Sequence, residues 1–266
     1  MVTTDPATLA KRHFLSCLPR PLWIGLAAVV LIGASVGLSV GVPMYRRGVA
    51  IREIERLGGE VEIEPVGPVS VARWIARHHL IGLGRVCGVW LTGDQFDDEA
   101  PGLLRSFGEL DELVIDSPNM TDAVLQRLSS MHATRHLSVS GPKLTNGGLA
   151  RLASLHGLRS LWVAGDNFTD DAMPALRQLT ALEHLWVESG EVTSTGLELL
   201  APLTNLAELE LVATRVTQRD IDRFRSRHPE MQVKRSGSGG NGGLKIVASP
   251  IRFVFQGEII IDDPSP

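Results

Sequence analysis

Aliphatic positions along this chain fall into columns spaced 24 residues apart. Val89, Leu113, Leu137, Leu161, Leu185 and Leu209 follow one another at that interval, and two positions after each stand Leu91, Ile115, Val139, Val163, Val187 and Leu211. Twelve aliphatic residues in twelve slots predict one short strand per unit, with these two columns turned to the core. Seven positions after each first residue come Phe96, Met120, Leu144, Phe168, Val192 and Val216, and one further on Asp97, Thr121, Thr145, Thr169, Thr193 and Thr217. The threonine column predicts a turn or a helix entrance. Pairs spaced i, i+3 follow at a fixed offset: Leu125 with Leu128, Leu149 with Leu152, Met173 with Leu176, Leu197 with Leu200, and Ile221 with Phe224. Each unit therefore reads as a strand plus a helix. Val233 stands another 24 residues after Leu209 and predicts a seventh, truncated strand after the six.

The stretches 110–115 (LDELVI), 158–163 (LRSLWV), 182–187 (LEHLWV) and 206–211 (LAELEL) fit L-x-x-L-x-[LV], within the period of leucine-rich repeats. Residues 185–200 and 209–224 resemble the T-D-x-G-L-x-x-L form of that repeat. The order of a basic tail, one apolar span, AIREIERLGGEVEIEP at 50–65 and then the repeats is similar to single-pass membrane leucine-rich repeat proteins of planctomycete-type bacteria. That resemblance covers about residues 22–235. It implies an α/β solenoid after one transmembrane helix, with parallel strands on the concave side and helices on the convex side. A single unit cannot bury both its strand and its helix, so stacking supplies the core and the ends need caps. The pattern has departures. Asp97 stands for Thr and Pro101 for a helix leucine in the first unit, and Thr134 replaces the first leucine of the third. The usual asparagine slot reads Asp94, Pro118, Pro142, Asp166, Gly190 and Thr214. Without an asparagine ladder each turn must satisfy its backbone in another way.

Outside the repeats, Leu22 to Val42 is 21 residues without a charge, long enough to cross a hydrocarbon core as a helix. Trp23 and Tyr45 flank it as interfacial aromatics would. A cleaved secretory signal is the other reading, with Lys11, Arg12 and Arg20 as its basic region and Ala34 and Ser35 near a cleavage point. Basic residues lie on both sides of the span, so the side of the repeats stays undecided, with a cytoplasmic tail and extracytoplasmic repeats as the default. Gly33, Gly37 and Gly41, four apart, predict a small-residue stripe suited to helix association. Residues 43–85 read as a juxtamembrane helix and N-terminal cap: a helix over 46–57 stopped by Gly58 and Gly59, a short strand around Val61 and Ile63, and a helix over 69–80. His78 and His79 are adjacent on that last helix and diverge, so they do not share a metal. Residues 236–243 are a Gly/Ser linker, and 244–266 a β-prone tail.

A net charge of −4 carries no basic surplus for nucleic acid. Leucine occupies 36 positions while aromatics make up only 5% of the chain, as a repeat of small aliphatic slots requires. Cys17 and Cys87 form neither a disulfide framework nor a zinc motif, and no H-E-x-x-H, G-x-S-x-G or G-x-G-x-x-G is present. Asp97, Asp98 and Glu99 read as a first-unit turn. The sequence thus indicates no enzyme, no metal and no cofactor.

The slot between the two core columns faces away from the core and reads Trp90, Val114, Ser138, Trp162, Trp186 and Glu210. Three of the five tryptophans share this column, which is expected to face solvent. Trp162 and Trp186 fall on adjacent strands, with Arg159, Glu183, His184, His136 and Glu188 around them. Exposed tryptophan beside arginine is the composition of interaction hot spots. Trp90, Trp162, Trp186, Arg159, Glu183 and His184 are therefore the candidate contacts for a protein or peptide partner. The alternative is a scaffolding chain whose repeats or membrane helix meet a second copy.

Overall fold

The computed structural model describes residues 20–64, 84–131 and 134–236. The expected helix over 69–80, with His78 and His79, lies outside these residues, as do the tail before Arg20, the linker beyond Ser236 and the C-terminal segment. The chain divides into two units, residues 1–46 and 47–266.

In the first unit α1 (Arg20–Val36) passes into a π-helical turn, Gly37–Gly41, and then into the start of α2 (Val42–Arg56), most of which belongs to the second unit. The wider turn comes directly before Pro43, whose ring lacks an N–H and crowds the carbonyl four residues back, and a π turn accommodates that defect without ending the helix. The helical stretch Gly25–Arg56 is long and apolar enough to cross a membrane by length and composition. Leu26, Val29, Val30, Leu31, Ile32 and Leu38 leave their side chains exposed.

The second unit is built on an eight-stranded sheet whose spatial order is its chain order. Its strands are β1 (Glu60–Glu64), β2 (Arg85–Thr92), β3 (Glu112–Asp116), β4 (His136–Ser140), β5 (Ser160–Ala164), β6 (His184–Glu188), β7 (Glu208–Val212) and β8 (Gln232–Ser236). From β2 to β8 every pair is parallel and in the 24-residue register, for example Leu137 opposite Leu161 and Leu161 opposite Leu185. Val233 lies opposite Leu209, which makes β8 the truncated strand that the spacing predicts. Between strands run α3 (Pro101–Leu104), α4 (Asp122–Leu128), α5 (Asn146–Leu149), α6 (Met173–Leu176), α7 (Ser194–Leu199) and α8 (Gln218–Arg227). Short 3-10 turns extend α5 and precede α6. The two strand columns, the Phe96 column and the i, i+3 helix pairs are all buried in one continuous core. The chain folds as a leucine-rich repeat solenoid.

Both ends of that core are closed by polar-faced elements. Ala50, Ile51 and Ile54 of α2 are buried in it. The helix then stops in a Schellman motif, in which Gly58 at φ 86° donates to Glu55 O and Gly59 donates to Ile54 O. After that stop β1 pairs antiparallel with β2, so the sheet gains an edge strand that reverses direction. At the other end α8 opens on a capping box between Thr217 and Asp220 and buries Ile221 and Phe224.

The backbone of the turns is satisfied by a ladder running from unit to unit. The Asp98 carboxylate accepts from the Thr121 N–H and hydroxyl, both at 2.7 Å. Asp122 does the same for Thr145, and Asp170 for Thr193. Between them Asn146 serves Thr169 with its amide, Oδ1 accepting the N–H and Nδ2 donating to the hydroxyl. Each of these threonines also accepts from the backbone two residues on, capping its own helix. Asparagine is used as well, one position after the expected slot: Asn119 Nδ2 donates to Asp94 O and Asn167 Nδ2 to Pro142 O, each 2.7 Å.

One departure from the pattern has an energetic signature. Thr134, in a leucine column, is only 3% exposed, and its hydroxyl has no hydrogen-bond partner among the described residues. A buried unpaired hydroxyl is costly, so Thr134→Val is expected to stabilise the protein by about 1 kcal/mol, seen as a rise of roughly 3 °C in melting temperature. A fall instead would mean that the hydroxyl has a partner in solution.

Candidate recognition site

The inner face of the sheet is set by strand alternation. With Leu161 and Val163 in the core, Ser160, Trp162 and Ala164 take the other side, and the same holds along each strand. Trp162 and Trp186 are opposite each other in the β5–β6 register, so their backbones are about 5 Å apart. Both are half-buried, as is Trp90. The column is thus less open than its polar-apolar alternation predicts: Val114 is buried, and Ser138 is only 1% exposed. Bulky neighbours explain this, because valine and tryptophan stand on either side of the small serine and side chains on a sheet face lie against one another.

Trp186 is held in one orientation. Its Nε1 donates to Glu210 Oε2 at 3.1 Å, and its ring is stacked on His184 with centroids 5.7 Å apart and planes 17° from parallel. His184 in turn faces Glu208, with Nδ1 3.6 Å from a carboxylate oxygen. The remaining Glu210 oxygen accepts from Ser236. A side chain tethered this way loses little freedom on contact with a ligand.

Arg159 and Glu183 are placed differently from the expectation that they surround the indoles. Each immediately precedes its strand, and Arg159 Nη1 lies 3.2 Å from Glu183 Oε1, so they neutralise each other at the start of β5 and β6. Trp90 is also apart from the tryptophan pair. Two strands carrying Val114 and Ser138 stand between, roughly 14 Å of sheet, and its ring folds back over Gly88, where a Cβ would meet Trp90 Cη2 at 2.6 Å. Of the six candidates, the structure brings together Trp162, Trp186 and His184. Glu208 and Glu210, which orient the cluster, were not among the candidates, although Glu210 stands in the same column; the signal was their spacing of 24 residues from His184 and Trp186.

No protein-family model matches this chain, and no curated protein matches it. Among solved structures it is similar to an internalin C2 from Listeria monocytogenes at 14% identity and a TM-score of 0.39, over 60% of this chain and 75% of that one. A second internalin of that organism, inlF, is similar at 16% identity and a TM-score of 0.38, over 56% of this chain but only 47% of its own length. The assignment of the solenoid rests on the strand register and the core rather than on these likenesses.

Among the described residues no three His, Cys, Asp or Glu side chains are grouped to hold a metal. Burial pushes the Cys87 thiol up to about 11, with Glu62 and Glu64 adding to the effect, so at neutral pH it is a thiol and a poor nucleophile. Burial likewise lowers the His136 pKa against the opposing pull of Asp111, which favours the neutral ring. On the convex side Ser194, Thr195, Glu198, Asp220 and Arg223 line an open depression of about 230 Å³. The Asp97–Glu99 cluster is structural: Asp98 starts the ladder and Glu99 pairs with Arg127 at 2.5 Å.

Proposed function

We propose that this chain is a membrane-anchored recognition module that binds a protein or peptide on the concave face of its repeats, with Trp162 and Trp186 at the centre and no enzymatic activity. The supporting observation is the pair of indoles, opposite each other on adjacent strands and half-exposed outside a core that is complete without them. Apolar surface left in water marks an interaction surface, and tryptophan is enriched among residues that dominate binding. His184 stacks on Trp186 and steadies that ring, while Arg159 and Glu183 orient the partner from the strand starts and Trp90 extends the surface toward β1. The anchor is the uncharged stretch Leu22 to Val42, read as a single span with the repeats outside the cytoplasm, in keeping with the likeness of repeat type and domain order to planctomycete-type membrane proteins.

Capture experiments with the full chain in nanodiscs test this reading. Trp162→Ala and Trp186→Ala are each expected to weaken partner capture by more than tenfold, about 2 kcal/mol of binding, while costing no more than about 2 kcal/mol of stability for a half-buried ring. Unchanged capture with both indoles removed would assign the pair to packing. The second reading, self-association, is favoured by Gly33, Gly37 and Gly41, where no described part of the chain beyond their own stretch of helix lies within 4 Å of an added Cβ. Under that reading the particle mass is a multiple of the chain mass, and Gly37→Ile reduces it.

A further inference from the structure

The inner face of the sheet is acidic. On its columns from β2 to β8 stand Glu112, Asp116, Glu188, Glu208 and Glu210, against one lysine, Lys234, which is already bonded to Glu208. Glu188 is the carboxylate nearest in register to the tryptophan pair that no cation among the described residues neutralises. It lies two residues beyond Trp186 on the same face of β6, half-buried, and its side chain makes no ion pair or hydrogen bond with any described residue. Trp186 beside it is fixed by Glu210 and His184, so its ring is pre-positioned.

A separate observation lies on the other side of the pair. Ser138, opposite Trp162 in the β4–β5 register, has its hydroxyl buried on the inner face with no hydrogen-bond partner among the described residues. A buried polar atom left unpaired is costly, and a ligand that supplies its partner recovers that cost. The face therefore combines an indole pair, an uncompensated carboxylate on one flank and an unsatisfied hydroxyl on the other.

We propose, building on the concave-face reading above, that the segment recognised there is cationic: an extended, arginine-bearing peptide stretch of the partner protein. One guanidinium lies over the Trp162–Trp186 rings with its charge against Glu188, and a polar group of the same stretch pairs with the Ser138 hydroxyl. A planar, weakly hydrated guanidinium suits this place better than an ammonium, since it stacks on an indole and meets a carboxylate at once. Complementary charge also disfavours acidic partners on this face.

Fluorescence anisotropy with the full chain in zwitterionic nanodiscs tests the proposal. The probes are short labelled peptides of alternating arginine and serine, lysine and serine, or glutamate and serine. Binding is expected in the order arginine, lysine, then glutamate, and is expected to weaken as salt is raised. Glu188→Lys is expected to weaken the arginine peptide by about tenfold or more with an unchanged melting temperature, whereas Glu230→Lys, a charge reversal off this face, changes it by less than about twofold. Equal binding of the glutamate peptide, or equal effects of the two reversals, overturns the cationic class. If indole removal abolishes capture of the natural partner while Glu188→Lys leaves that capture intact, the recognition site stands and only its charge preference falls. If indole removal affects neither peptide nor partner, the site itself falls.

Discussion

Leu161→Asp is expected to abolish cooperative unfolding of the repeats or lower its midpoint by well over 10 °C, an effect of several kcal/mol. Leu161 is fully buried at the middle of the sheet, opposite Leu137 on one strand and Leu185 on the next. A carboxylate there has no cation or donor within the aliphatic column, so it is either buried charged at great cost or protonated against its ordinary pKa. Stacked units derive their stability from neighbour interfaces, and a lesion at this position weakens two of them at once. Circular dichroism on heating provides the measurement. An unmoved transition would mean that the strand register is wrong.

Gly59→Ala is expected to cost about 3 kcal/mol, unusual for one added methyl. A Cβ at this position would lie 2.7 Å from Ile54 Cγ2, 2.8 Å from Trp90 O and 2.9 Å from Phe96 Cζ. Two of these atoms belong to fully buried side chains and the third is backbone, so none yields cheaply. The residue sits where α2 ends and β1 begins, with the N-terminal cap directly against Trp90 and Phe96 of the first repeat. Gly190→Ala is the matched control: nothing lies within 4 Å of its added methyl, and its stability should change by less than about 0.5 kcal/mol. Similar melting points for the two variants would show that the cap is not packed on the first unit in this way.

Much of the solenoid was legible because its signal is periodic. Every aliphatic column identified from the 24-residue spacing is buried, and Val233 takes its place opposite Leu209. What escaped was chemistry that reaches across the period. The Asp98–Thr121 and Asp122–Thr145 bonds join residues 23 apart, and carboxylates at helix starts read as ordinary solvated ends until the next unit is stacked above them. The direction of β1 was hidden too, since alternation of Val61 and Ile63 with glutamates predicts a strand but not its partner. The tryptophan column was legible in place but not in depth. Alternation shows which way a side chain points, while the burial of Ser138 depends on the size of its neighbours. Arg159 and Glu183 could have been paired beforehand, since opposite charges one period apart fall on adjacent strands.

The ladder of Asp98, Asp122, Asn146 and Asp170 ties four successive threonine turns each to the unit before it, the side chain meeting the same threonine N–H and hydroxyl each time. Excision of one full period, from Leu161 through His184, would bring the Ser160 end onto Leu185 and leave Asn146 to serve Thr193 in place of Thr169. Removal of one residue more or fewer would slide each threonine past its acceptor and turn the strand columns inside out. The array is thus divisible only in whole modules, and its length can change by duplication or loss of a complete copy without inventing a new contact.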